Sequence, residues 1–278
     1  MIKILFSDLD GTLLFNNGSM TDTVTEKNEE AIIGMMTAGI KFGVATSRSP
    51  SFLSKLTKLN YQFDTVAYNG NLIVCNNDVI DKSVFKSDDI EILATLLDVH
   101  NPNNRISFIT EKNDMIYYDL SNSCVNRYIQ NELGLIQDHR RILDYNQWKT
   151  EDEMLNEICC IACVYCDKKS ADYVRETIKS FNGSLSYLDT SSRTMIVGKN
   201  NRNKVSGILE IAQKYGIEED EIAVIGDSIN DIDMLRYFKH SFCMSHADKS
   251  VRDCASEVVE DVSKCIQKIM EYNHEKRI

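Results

Sequence analysis

Two hydrophobic patterns alternate along the first third of the chain. Residues 2–7 (Ile2-Lys3-Ile4-Leu5-Phe6-Ser7) are a short apolar run ending in polar positions, the pattern of a strand covered on both faces. After a polar loop, residues 23–38 set Val24, Ala31, Ile32, Met35 and Met36 on one helical face. Thr21 or Asp22 is placed to cap the start of that helix, and Gly39 to stop it. Residues 40–45 read as a second strand ending at Thr46-Ser47-Arg48, and Pro50 opens another helix where its missing N–H is harmless. Residues 65–68 form a third strand that runs into Asn69-Gly70-Asn71, which reads as a turn leading to a hairpin of residues 72–75 with 79–84.

The same alternation returns later. Val205, Ile208, Leu209, Ala212 and Tyr215 make a helical stripe closed by Gly216, followed by a strand at residues 221–225, the loop 226–229 and a helix carrying Met234 and Leu235. Strand–helix alternation of this kind specifies a parallel sheet with helices on both faces. The middle differs. Residues 106–110 and 115–119 read as paired strands, then come a helix near 123–133, a cysteine-rich strand, a helix near 170–181, and strands near 184–188 and 194–197. That is an antiparallel α+β unit, and it interrupts the alternating part. The expected division is therefore a doubly wound α/β core of residues 1–81 and 199–278, with an inserted domain of residues 82–198.

Composition narrows the function classes. Hydrophobic residues are 43% of the 278, enough for a packed core, and the formal charge of −11 opposes a broad grip on nucleic acid. No apolar run approaches the roughly 20 residues needed to cross a bilayer, and the N-terminus lacks a signal-peptide pattern. The expectation is a cytoplasmic protein without nucleic-acid or membrane partners; the sequence carries no reading of oligomeric state. Nine cysteines, an odd number in a long chain, do not suggest a disulfide framework. Cys159, Cys160, Cys163 and Cys166 could be metal ligands by density, but their spacing reads as a buried strand using cysteine as a small hydrophobe. The acidic residues after Asp248 read as a solvated helical face.

The candidate chemistry sits at strand ends, where open α/β sheets bind their ligands. The first strand delivers Asp8-Leu9-Asp10-Gly11-Thr12-Leu13, two carboxylates separated by one residue with a glycine behind them. The second delivers Thr46, a neutral hydroxyl donor. The late strand delivers Gly226-Asp227-Ser228-Ile229-Asn230-Asp231, and Lys204 begins the helix before it. Carboxylates converging on one crevice repel each other unless a cation sits among them, and hard oxygen ligands select Mg²⁺. A threonine and a lysine beside that cation suit a phosphoryl group.

Asp8-Leu9-Asp10-Gly11-Thr12-Leu13 resembles the first motif of haloacid-dehalogenase superfamily phosphatases. Val44-Ala45-Thr46-Ser47-Arg48 is similar to the second, Lys204 to the third, and Gly226-Asp227-Ser228-Ile229-Asn230-Asp231 to the fourth. The long insertion resembles the class IIB cap of the Cof-type subfamily. The resemblance spans essentially the whole chain. It implies a Rossmann-like core, an inserted α/β cap, Mg²⁺, and hydrolysis of small phosphorylated metabolites, sugar phosphates by default, through an aspartyl-phosphate. In its terms Asp8 is the nucleophile and Asp10 the general acid/base. Asp8, the carbonyl of Asp10, and Asp227 hold Mg²⁺, with Asp231 in support. Thr46, Ser47, Lys204 and Asn230 form the phosphate cradle.

The sequence departs from the subfamily pattern at Ser47 and Val205, where glycine is usual, and at Met244-Ser245-His246-Ala247 in place of Met-Gly-Asn-Ala. Ser47 narrows the leaving-group space, and His246 has two readings, one facing the crevice and, ahead of it, a surface-loop histidine. Asn69-Gly70 is similar to a subfamily feature near the cap hinge and equally reads as an ordinary turn. Arg105, Arg127, Tyr128 and Arg193 are cap positions for substrate contact. Two other readings stay open: a phosphosugar mutase of the same superfamily, and a phospho-accepting module resembling a receiver domain.

Overall fold

The computed structural model describes residues 1–50, 63–85, 105–110, 115–117, 142–144, 158–164, 168–180, 184–189 and 194–276. β1 (Ile4–Ser7) is buried at every position because Ile4, Leu5 and Phe6 meet apolar layers on both faces of its sheet. A small hairpin of β2 (Phe15–Asn16) and β3 (Ser19–Met20) follows, where the sequence suggested only a polar loop. α1 (Glu26–Thr37) starts later than the hydrophobic pattern implies: Thr25 caps it, accepting from the Asn28 N–H, instead of Thr21 or Asp22. Then come β4 (Lys41–Ala45), β5 (Asp64–Ala67), β6 (Leu72–Cys75) and β7 (Asp78–Lys82). The β6–β7 turn is Asn76-Asn77, both with positive φ, while Asn69-Gly70 links β5 to β6.

The middle segment supplies β8 (Arg105–Thr110), β9 (Met115–Tyr117), β10 (Ile142–Asp144), β11 (Ile158–Val164), α2 (Lys168–Lys179), β12 (Leu185–Asp189) and β13 (Thr194–Lys199). The C-terminal segment supplies α3 (Lys204–Tyr215), β14 (Ile222–Gly226), α4 (Ile232–Tyr237), β15 (His240–Met244), the short α5 (Lys249–Arg252), β16 (Glu257–Val259) and α6 (Val262–Glu275). The chain divides into two compact units, Met1–Asp81 with Asn203–Ile278, and Lys82–Arg202.

In the first unit the strands run in the order β16-β15-β14-β1-β4-β5-β6-β7. Six of them, β16 through β5, are parallel, and β6 pairs antiparallel with β5. Neither half of the chain completes this sheet: β1 sits between β4 from the N-terminal part and β14 from the C-terminal part. Ile32 and Met35 of α1 and Val262, Cys265, Ile266 and Ile269 of α6 cover one face. Ile208, Ile211 and Ala212 of α3 and Met234 and Leu235 of α4 cover the other. Full burial of a side chain such as Ile208 contributes roughly 1.5–3 kcal/mol. As expected, the acidic residues after Asp248 such as Glu257, Glu260, Glu271 and Glu275 are exposed; α6 is amphipathic, and its apolar side belongs to the core.

The second unit holds a sheet of order β10-β9-β8-β11-β13-β12. Its pairings are antiparallel except β9 with β10, which is parallel. Cys159, Cys160 and Cys163 are fully buried in β11, and burial raises the Cys160 thiol well above its ordinary value, as suits packing groups. The helices expected beyond Pro50 and near 123–133, and Cys166, Arg127, Tyr128 and Arg193, lie outside the described residues. No helix among the described residues is long and apolar enough to cross a membrane.

Candidate active site

Strand order reverses at β1, and three strand ends meet there. Asp8 follows β1, Thr46 follows β4, and Asp227 follows β14. The backbone N–H of Asp8 donates to the Ile225 carbonyl at 2.9 Å, so the two acidic loops leave the sheet side by side. Gly11 has φ +84°, and a Cβ there would stand 2.3 Å from Asp227 Oδ2. The turn therefore needs glycine twice, for its backbone and for the approach of the carboxylate. Thr12 Oγ donates to Asp227 Oδ1 at 2.6 Å, holding the second loop to the first.

Lys204 is 2% exposed and bridges two carboxylates: Nζ donates to Asp8 Oδ1 at 2.6 Å and to Asp231 Oδ1 at 2.7 Å. A cation in the first turn of a helix opposes the helix dipole. Here the two carboxylates outweigh that, and α3 is also capped by Asn203, which exchanges hydrogen bonds with Ser206. Asp231 is fully used. Its Oδ2 accepts from the backbone N–H groups of Asp227 and Ser228, both at 3.0 Å, which fixes the loop between β14 and α4. Asp231 thus orients Lys204 and the Asp227 loop.

The electrostatics follow from burial. Burial raises Asp8 well above the ordinary carboxylate value, with Lys204 opposing and Asp231 and Asp227 adding to the rise. Burial and the nearby Asp231 push Asp227 up to about 6 against the hydrogen bond from Thr12. For Lys204, burial alone would favour loss of the proton, but Asp231 and Asp8 outweigh it and raise the pKa, so the ammonium is retained. Ligand oxygens of Asp8, Asp227 and Asp231 lie within 4.8 Å of one another. This all-oxygen, net-negative donor set fits a hard divalent cation.

The other expected positions are placed as follows. Thr46 is buried, and its Oγ accepts from the Arg48 N–H at 3.1 Å, leaving the hydroxyl proton to donate. Ser47 is half-buried beside it. The carboxamide oxygen of Asn230 accepts from Ser228 Oγ within the acidic loop. Arg105 begins β8 in the other unit.

Two residues at the site, Arg48 and Thr12, escape the sequence reading. Arg48 grips Asp10: Nε donates to Oδ2 at 2.7 Å and Nη2 donates to Oδ1. A cation two residues beyond Thr46 at a strand end was the available signal. Thr12 carries the loop-to-loop bond described above. His246 lies in an exposed turn, as expected, and also reaches the site: its ring stacks on Phe15 with centroids 3.6 Å apart, and Nε2 lies 3.7 Å from Asp227 Oδ2. Burial holds it below its ordinary value of 6.5 despite a backbone hydrogen bond with Gly11.

A doubly wound sheet with a carboxylate–lysine pair and an acidic loop at its switch point has the donor chemistry of a protein that handles phosphoryl groups. The chain belongs to the haloacid dehalogenase-like hydrolases, whose family pattern matches residues 5–265. It is 22% identical over 262 residues to the 5-amino-6-(5-phospho-D-ribitylamino)uracil phosphatase YcsE of Bacillus subtilis, covering 93% of this chain and 90% of that one. Its fold is similar to that of a haloacid dehalogenase-like hydrolase from Bacteroides thetaiotaomicron, with TM-score 0.78, 18% identity, and coverage of 97% and 100%. It is similar also to a subclass IIB sugar phosphatase of the superfamily, with TM-score 0.75, 22% identity, and coverage of 98% and 99%.

Proposed function

We propose that this hydrolase is a Mg²⁺-dependent phosphatase of the Cof-type subfamily that acts on small phosphorylated metabolites, sugar phosphates first among them. The observation that carries the reading is the buried Lys204–Asp8 pair. Lys204 holds Oδ1 at 2.6 Å, which orients the carboxylate and directs Oδ2 to act as the nucleophile. Oδ2 of Asp8 forms a bond to phosphorus as the bond to the leaving oxygen breaks, and Asp10 gives that oxygen its proton. Asp10 then takes a proton from water, whose oxygen displaces the Asp8 carboxylate and releases inorganic phosphate. Thr46 and Lys204 bind the transferring oxygens, with Ser47 and Asn230 at the edge of the cradle. Asp8, the Asp10 carbonyl and Asp227 would hold the cation, which supplies charge that lets a phosphate dianion approach carboxylates.

The names of the sequence relative and the structural neighbour support phosphomonoester substrates. We assign the inserted segment, residues 82–198, the part of a cap that excludes water and selects the leaving group. The test is phosphate release from a panel of phosphorylated metabolites with Mg²⁺, for the wild type and Asp8→Asn. Turnover on sugar phosphates that Asp8→Asn abolishes is expected. A near-normal rate in Asp8→Asn would sink the nucleophile assignment, and phosphate moved between sugars without release would favour a mutase.

A further inference from the structure

Arg48 is not used by the reaction as written above, yet it holds the group that reaction needs. Its guanidinium spans Asp10 in a two-pronged arrangement, Nε on Oδ2 at 2.7 Å and Nη2 on Oδ1. Both carboxylate oxygens are covered. A general acid/base must touch the leaving oxygen and later the attacking water, and a guanidinium across both oxygens competes with that contact. The backbone cannot be what moves. The Arg48 N–H donates to Thr46 Oγ at 3.1 Å and its carbonyl accepts from the Tyr68 N–H at 3.3 Å, so the residue is fixed beside the phosphate cradle. The side chains are another matter: Arg48 is 34% and Asp10 32% exposed, within reach of a solute entering the crevice.

The charge distribution says what opens the pair. Four carboxylates, Asp8, Asp10, Asp227 and Asp231, crowd these strand ends. Lys204 is buried at 2% exposure between two of them and ion-paired to both Asp8 and Asp231. Among the described residues, Arg48 is the partly exposed cation that is ion-paired at these strand ends. Guanidinium matches the oxygens of a phosphoryl group as well as it matches a carboxylate. An arriving dianion therefore competes directly for the fork.

We infer that Arg48 is an exchange latch: its guanidinium caps Asp10 in the free protein and transfers to the phosphoryl oxygens of the substrate, uncovering Asp10 for proton transfer. The inference rests on the phosphatase reading. It makes Arg48 a substrate-binding residue that also positions Asp10, and it couples uncovering of the acid/base to substrate arrival. In the absence of substrate, Asp10 is kept from other work.

A double-mutant cycle on inorganic phosphate binding tests this without turnover. Phosphate affinity is measured by calorimetry in Mg²⁺ buffer for the wild type, Arg48→Ala, Asp10→Asn and the double variant. Arg48→Ala should weaken phosphate about tenfold, the loss expected for a charge-assisted contact. Asp10→Asn should tighten it, because the fork then loses the charged carboxylate that competes with phosphate. That tightening should be about tenfold larger with Arg48 present than in the Arg48→Ala background, where only the general charge change remains. Equal effects of Asp10→Asn in both backgrounds, or a phosphate affinity untouched by Arg48→Ala, would overturn the latch. If Arg48→Ala does not fold, Arg48→Gln takes its place in the cycle. A failure of the phosphatase reading shows separately, as a near-normal rate in Asp8→Asn, which the phosphate-binding cycle does not involve.

Discussion

At the residue scale the molecule stores an electrostatic tension at Asp8. A carboxylate raised by burial is destabilising when ionised, and Lys204 compensates it from one side only. The sign follows directly: the folded state binds the Asp8 proton more tightly than the unfolded chain, so stability declines as pH rises above the ordinary value of 3.8. At neutral pH and without divalent cation, Asp8→Asn should therefore melt at or above the wild-type temperature. Lys204→Ala should do the opposite, losing about 3 kcal/mol, because it leaves Asp8 and Asp231 buried without their counter-ion. Urea unfolding of chelator-treated protein measures both; a Lys204→Ala variant as stable as wild type would contradict the buried bridge. The carboxylates and Lys204 were legible because each follows or precedes a clean apolar element. The grip of Arg48 on Asp10 was not, since it depends on how the turn at Gly11 presents Asp10 to a neighbouring strand end. The direction of His246 depends in the same way on Phe15, carried by a hairpin with too few residues to show a period.

At the element scale, what sequence patterning missed had weak boundaries. Val24 joins the hydrophobic pattern and is buried, yet it precedes the helix, so the expected start of α1 came too early. α6 was obscured by its acidic neighbours, although Asp261 marks its start. Asp261 Oδ1 accepts from the Lys264 N–H at 2.9 Å and from Ser263 Oγ at 2.6 Å, and Oδ2 receives Lys27 at 2.6 Å. Asn28 of α1 accepts from the Ser263 N–H at 3.0 Å, so the cap also locates α6 against α1. Burial opposes ionisation of Asp261, but the bonds from Lys27, Ser263 and Lys264 prevail and hold it below 3.8. Its contribution is complete above that value and is lost as pH falls through the lower, folded one. Asp261→Ala should cost about 1 kcal/mol at neutral pH. The gap from wild type should begin to narrow as pH falls below about 3.8 and keep narrowing at lower pH. Denaturant midpoints followed from pH 7 downward check this; a gap that does not narrow at all below that value would mean that lost packing, not the charged cap, sets the cost.

At the scale of the whole molecule, the alternation of strand and helix disclosed a parallel sheet, but not the order of its strands, because hydrophobic period reports burial and not neighbours. That order matters for function. β1 and β14 are adjacent though more than 200 residues apart in the chain, and they carry Asp8 and Asp227 out of the sheet together. A cation held by both would tie the N-terminal and C-terminal segments of the first unit where they meet. Binding that favours only the folded state stabilises by about 2.7 kcal/mol at a hundred times the dissociation constant. For a protein of this size that corresponds to a rise in Tm of roughly 5–10 °C. Mg²⁺ should therefore raise the melting temperature in a saturable manner, and a chelator should reverse the rise. Asp227→Ala should remove the dependence on Mg²⁺, while Asp261→Ala, remote from the strand ends, should lower the melting temperature but keep it. Gly11→Ala should weaken the response, since its Cβ would meet the Asp227 carboxylate at 2.3 Å. Scanning calorimetry across a Mg²⁺ titration reads all four proteins, and an undiminished Mg²⁺ response in Asp227→Ala would place the cation elsewhere.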